Sequence, residues 1–160
     1  MALNRTLAVQ YARKWAKSTN PKFPRYGNDC TNFVSQCMLA GGWKMVGDKN
    51  FFSRKKNTEW WYGESLLTTA SYTWGGAQNF SRFVAVSNRG KIVTDSTVLD
   101  LADVVQLKDG SGHVYHTMIV TGKKNSDLLL SYHTGDHLDE PLSAILGRSS
   151  GSTAIYWKMV

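Results

Sequence analysis

The 160-residue chain is short of cysteine, of proline and of long apolar runs. It has two cysteines and three prolines. No stretch approaches the ~18 consecutive apolar residues that a membrane-spanning helix requires, so a membrane span is excluded. There is no internal repeat, no linker and no low-complexity tract. One domain over residues 1–160, built on one sizeable core, is therefore expected. The opening segment MALNRTLAVQYARKWAKS also lacks the apolar block of a signal peptide, because Arg5, Arg13 and Lys14 interrupt it. Acidic residues are scarce beside basic ones, 12 against 19, which gives a formal charge of +7 and a pI near 9.5. Such a balance suits a polyanionic partner: nucleic acid, an anionic membrane surface or an anionic wall polymer. The basic residues are not gathered on one helix or strand and form no nucleic-acid-binding signature, so nucleic acid is the weakest of these.

Both cysteines fall in one stretch, YGNDCTNFVSQCMLAGGW, from Tyr26 to Trp43. Residues 31–40 read as a helix that stops at Gly41-Gly42, with Asp29 as its N-cap. Cys30 and Cys37 would then lie roughly 10 Å apart along the helix axis. A disulfide needs Cα atoms within about 7 Å, so two free thiols are expected. Cys37 shares its face with Phe33, Val34 and Gly41 and reads as a small buried hydrophobe. Cys30 falls in the first turn, where unpaired N–H groups and the helix dipole favour a thiolate. It is the candidate nucleophile.

Elsewhere the pattern predicts helices before strands. Leu3, Leu7, Ala8, Tyr11, Ala12 and Trp15 recur at helical spacing. Residues 18–26 form a loop punctuated by Pro21 and Pro24. Residues 43–76 read as irregular and aromatic-rich, with a basic run at Arg54, Lys55 and Lys56. A third helix is expected over 77–88, and strands over 103–107, 116–121, 128–133 and 152–159. This order indicates an α+β fold with an antiparallel sheet.

A nucleophilic thiol needs a base, and the histidines are His113, His116, His133 and His137. A hairpin turn centred between Lys124 and Asn125 would pair His116 with His133, placing two imidazoles side by side, one as base and one orienting it. His113 and His116 also form an HxxH pattern, but an odd offset on a strand points them to opposite faces. No carboxylate or thiolate at the usual spacing completes a zinc site, so no metal or cofactor is expected.

The stretch NDCTNFVSQCMLAGGW resembles the signature of the putative amidase-domain family, a branch of the papain-like cysteine peptidases related to NlpC-type and CHAP cell-wall hydrolases. NRTLAVQYARKWA, ADVVQL, HTMIVTG, LLLSYHTGD and the terminal strand continue the resemblance over nearly the whole chain. It implies a papain-like (NlpC-like) fold with N-terminal helices packed on the sheet. It also implies Cys30 as nucleophile, His116 as base, and either His133 or Asp136 as the third catalytic residue. The oxyanion would be held by the Cys30 backbone N–H with Tyr26 or Asn28. The implied substrate is an amide of peptidoglycan, met at the bacterial cell wall by a secreted or phage-released enzyme. Anionic wall polymers would be a further partner. Trp60, Trp61 and Trp74 are candidates to line a substrate groove. The chain is expected to be a catalytic module, with a larger lytic protein as one context for it. Where the family has Gly-Asp before its first sheet strand, this chain has Ala102-Asp103. The alternatives are a catalytically inactive wall-binding domain on the same fold and a basic nucleic-acid-binding module.

Overall fold

The computed structural model describes residues 2–65 and 68–160. Helix α1 spans Arg5–Trp15 and α2 spans Cys30–Ala40. Two short strands, β1 (Tyr62–Ser65) and β2 (Thr68–Ala70), pair with each other, followed by α3 (Tyr72–Gly75) and α4 (Ala77–Val86). The main sheet comprises β3 (Gly90–Val93), β4 (Val104–Lys108), β5 (Val114–Lys124), β6 (Asp127–Tyr132), β7 (His137–Pro141) and β8 (Thr153–Met159). Helix α5 (Leu142–Arg148) lies between β7 and β8. The six strands run in the order β3-β8-β4-β5-β6-β7, every neighbouring pair antiparallel. The fold is thus α+β, with five helices and one six-stranded antiparallel sheet among the described residues.

Alternation along the strands divides the core into two. Val104, Ile119 and Trp157 pack with Ala8 and Ala12 of α1, Phe33, Val34 and Cys37 of α2, and Phe80 and Phe83 of α4. Val105, Leu107, Met118, Val120, Leu130 and Tyr132 pack with Leu142 and Ile145 of α5. Each Val, Leu, Ile, Phe or Met side chain so buried contributes about 1.5–3 kcal/mol, so the sheet is held from both sides. Helix α1 is capped by Asn4, whose side chain accepts from the Leu7 N–H. At the far end of α2, Gly41 sits against α1. A Cβ there would stand 2.6 Å from Leu3 Cδ1 and 3.1 Å from both the Ala8 Cβ and the Asn4 carbonyl, so any larger residue would require Leu3 to move.

Ala102 explains the departure from Gly-Asp. It holds φ +70, a left-handed conformation that costs an alanine roughly 1 kcal/mol. Its methyl group is fully buried, a gain of about 0.8 kcal/mol that offsets the strain. Asp103, also fully buried, accepts from Arg5 at 2.8 Å and from the Met159 N–H, and lies 3.1 Å from Lys158 Nζ. It ties the first helix to the last strand.

The strand expectations over 103–107, 116–121, 128–133 and 152–159 correspond to β4, β5, β6 and β8 with shifted ends. The irregular reading of 43–76 is corrected: this segment contains a 3-10 turn at Phe51–Ser53, the β1/β2 pair and α3. Its positions 66 and 67 lie outside the described residues. No described helix is long and apolar enough to cross a membrane.

Candidate active site

The end of the sheet where β5 begins and β6 ends meets the start of α2. There the Thr31 and Thr117 hydroxyls are 2.8 Å apart, which fixes the first turn of α2 on β5. The Cys30 thiol donates to Asn28 Oδ1 at 3.4 Å. The backbone N–H of Thr117, the residue after His116, also points at its sulfur. Asn28 lines an open cleft of about 470 Å³ together with His116, Tyr132, Thr134, His137 and Arg148. It also lines a second cleft, of about 370 Å³, with Tyr26, Arg54, Tyr72 and Asn79. The thiol therefore sits at the junction of two clefts, beneath a side chain common to both.

The helix start does not make Cys30 acidic. Burial pushes its thiol above the usual range, and this outweighs the N–H of Thr117 and the Thr31 contacts that favour a thiolate. Cys30 is only 1% exposed. Cys37, fully enclosed, is pushed up further, with only its own backbone N–H opposing. Both cysteines are free.

His116 is pushed down to about 4, chiefly by burial and secondarily by the positive Arg148, with Glu140 opposing. It is therefore neutral at pH 7 and has the lone pair that a base requires. Its ring meets the Tyr132 ring edge-on at 4.7 Å. The Tyr132 hydroxyl donates to Glu140 at 2.5 Å, and Glu140 also holds Arg148 and His137. His137 stacks on Tyr132 at 5.0 Å. This Tyr132–His137–Glu140–Arg148 group beside His116 was not anticipated from sequence. Tyr132 alone had a readable signal, its place in the strand LLLSYH.

The suppressed His116 value has a consequence for stability. A buried neutral histidine disfavours the protonated form, so the unfolded chain binds the extra proton first. Stability is fully present above the unfolded value of 6.5 and falls as pH drops towards 4. The loss attributable to His116 is about 3 kcal/mol. Urea midpoints measured from pH 7 to 4 should fall for the wild type. His116→Gln should flatten the part of that decline below pH 6.5; an unaltered profile would contradict this assignment.

The expected pairing of His116 with His133 is corrected. The turn is centred between Asn125 and Ser126, one residue later than expected, with Lys124 opposite Asp127, and a β-bulge at Thr121 then shifts the β5/β6 register, giving Gly122↔Leu129 on one side and Val120↔Leu130 and Ile119↔Ser131 on the other. His133 falls just beyond β6, and its side chain points away from the one on Tyr132 that meets His116. Its Nδ1 lies 2.5 Å from Asp29 Oδ2, its Nε2 lies 2.7 Å from the Trp15 carbonyl, and its ring stacks on Phe33 at 4.2 Å. Both ring nitrogens are engaged, one by a carboxylate and one by a backbone carbonyl, so the ring is held away from His116.

Asp29 in turn makes no side-chain cap on α2. Its carboxylate accepts instead from the Tyr26 N–H, from Asn32 Nδ2 and from His133. The Asp29 N–H donates to Thr134. The buried Asp29–His133 pair thus anchors the residue next to Cys30. Asp136 is engaged elsewhere, in an ion pair with Arg25 at 2.6 Å.

Trp60, Trp61 and Trp74 are completely buried, so they line no groove. Their N–H groups account for their position. Trp74 donates to Asn32, Trp60 to Ser35 and Trp61 to Glu59. The first two brace α2 from behind. The accessible aromatics of that region are Phe51, Phe52 and Tyr72. His113 stands exposed in the turn before β5, its N–H held by Asp109. Among the described residues no three His, Cys, Asp or Glu side chains gather as a metal-binding set.

A family model described as a putative amidase domain matches residues 2–157. The chain belongs to this amidase-domain family. Two proteins of Bacillus subtilis (strain 168) are similar to it. The uncharacterized protein YhbB is 33% identical over 127 residues, covering 77% of this chain and 38% of its own length. The uncharacterized protein YjcM is 29% identical over 145 residues, covering 90% of this chain and 34% of its own. This chain accordingly spans little more than a third of the length of the curated relatives it matches. No solved structure matches it.

Proposed function

We propose that this amidase-type domain is a cysteine-nucleophile amide hydrolase of papain-like, NlpC-related character that acts on peptidoglycan. The observation that carries the reading is the meeting of the Cys30 thiol, Asn28 and the β5 segment bearing the neutral His116 at the mouth of α2. In this reaction the Cys30 sulfur attacks the amide carbonyl and its proton passes to His116. The carbonyl oxygen becomes an oxyanion held by the Cys30 backbone N–H and by the Asn28 side-chain amide, turned to present its N–H₂. Collapse breaks the C–N bond, and His116 returns the proton to the leaving amine. Water then attacks the thioester, again with His116 as base, and frees the acid and the thiol.

The raised thiol and the lowered imidazole favour a neutral resting pair, so the proton moves during attack. Tyr132 and the Glu140 group orient His116, while the Asp29–His133 pair holds the nucleophile's helix. The excess of basic residues draws the domain to anionic wall polymers and so to the bacterial cell wall. The peptidoglycan substrate rests on the family resemblance, whereas the pairing of nucleophile and base is supported by the contact of Cys30 with the residue after His116. A non-catalytic wall-binding domain is the second reading, and the near-complete burial of Cys30 favours it.

Alkylation separates the two readings. Iodoacetamide is expected to modify Cys30 well before Cys37. Because the thiol is raised above its ordinary value, the rate should still be climbing with pH at pH 9. Peptide mapping by mass spectrometry reads both sites. Equal, slow labelling of the two cysteines would support the non-catalytic reading.

A further inference from the structure

The two clefts that meet at Asn28 differ in charge. On the α5 side, Arg148 is neutralised: Glu140 pairs with it and the Tyr132 hydroxyl accepts from it. On the α3 side, Arg54 has no carboxylate partner among the described residues. Its guanidinium lies 3.8 Å from the centre of the Phe51 ring and 5.3 Å from that of Tyr72. Its backbone carbonyl accepts from the Tyr72 N–H at 2.8 Å, so the two residues are locked together. Stacking holds a guanidinium by its face and leaves the N–H groups at its edge free for a planar, two-oxygen acceptor. The other members of the basic run are disposed differently. Lys56 is paired with Glu59 at 3.4 Å, and Lys55 is exposed.

Phe51 and Phe52 meet edge-on at 5.6 Å and remain exposed, with Phe52 89% accessible. Tyr72 and Arg54 line the cleft that Tyr26 and Asn28 also line, and Phe51, against the Arg54 guanidinium, extends it outward with Phe52 as an aromatic shelf. A shelf of this kind suits the aliphatic stem of a peptide, and the free guanidinium edge suits a carboxylate carried on it.

We propose that Arg54, stacked between Phe51 and Tyr72, is the specificity determinant of the amidase site and selects peptide substrates bearing a carboxylate on the α3 side of the scissile amide. This rests on the reading of Cys30 as the nucleophile. The Arg54 fork accepts the carboxylate bidentately, the aromatic shelf carries the adjoining chain, and the scissile carbonyl lies over Cys30. The α5-side cleft, its arginine already neutralised, takes the uncharged remainder.

The test uses a pair of wall-derived stem peptides that differ only in having free carboxylates or carboxamides. Their binding is measured on Cys30→Ser protein and their cleavage on the wild type. The carboxylate peptide should bind about tenfold more tightly, the scale of a charge-assisted bidentate contact. Arg54→Gln should raise its KM by a similar factor, leave kcat within about twofold and leave the carboxamide peptide unaffected. Arg54→Lys should recover only part of the loss. Equal affinity for the two peptides, no binding of either, or an equal loss for both on Arg54→Gln would overturn the proposal. The two readings separate cleanly. Carboxylate-selective binding without cleavage by the wild type keeps the subsite and rejects the nucleophile. Cleavage of both peptides with equal KM does the reverse.

Discussion

Replacing His116 by alanine is expected to lower kcat/KM for amide hydrolysis about 10³-fold, the middle of the range for a lost general acid–base. Cys30→Ala should lower it at least as far. The double variant should be no worse than Cys30→Ala alone, because nucleophile and base act as one unit. This follows from their placement: the thiol lies against the residue after His116, and burial keeps His116 neutral. The fold should survive both changes, since neither side chain carries a structural hydrogen-bond network comparable to that of Asp29. Steady-state kinetics on a soluble stem peptide, with thermal melts as control, reads the effect. Losses in the double variant equal to the product of the single losses would show that the two residues do not cooperate.

Asp29→Ala should be the most destabilising single substitution around the site, at about 3–5 kcal/mol, as when one partner of a buried ion pair is removed. The substitution strands three donors at once: the Tyr26 N–H, Asn32 Nδ2 and the His133 ring. Asp29→Asn keeps the shape and one acceptor oxygen and should cost less. His133→Ala leaves Asp29 with two remaining partners and should fall between the two. Activity should fall with Asp29→Ala even at temperatures where the variant remains folded, because the start of α2 is no longer tied through His133 to the end of β6. Urea midpoints and residual activity measure the two effects separately. A cost below about 1 kcal/mol for Asp29→Ala would show that the pair braces nothing.

How far the sequence carried the fold varied with the kind of signal. Helices α1 and α2 were legible from 3.6-residue periodicity and from the Gly41-Gly42 stop. Strands β4, β5, β6 and β8 were legible as short runs of apolar residues. Strands β3 and β7 were missed: they are edge strands, with no residue fully buried, whose sequences GKIV and HLDEP lack a continuous apolar face. Helix α5, seven residues long, offers too few turns for a period to appear.

At the candidate site, Cys30 was expected in the first turn of a helix and is the first residue of α2, whereas His116, expected to open a strand, is the third residue of β5. The partner of His116 could not be read. A hairpin turn fixes register only when no residue is inserted, and the bulge at Thr121 carries His133 to the opposite side. Burial of Cys30 was equally invisible. The helix-start argument counts favourable dipoles, while the desolvation that outweighs them arises from packing against β5. The tryptophans were ambiguous for a similar reason: an indole that reaches a polar partner on α2 is core, and the partners Asn32 and Ser35 lie far away in the chain.

Digestion of purified peptidoglycan by the wild type and by Cys30→Ser, with new termini identified by mass spectrometry and amine labelling, tests the central claim most directly. New amine and carboxyl termini from the wild type alone, in equal number, are the predicted result, and their position names the bond. Equal release by both proteins, or none by either while both remain folded, would contradict the assignment of Cys30 as a peptidoglycan-cleaving nucleophile.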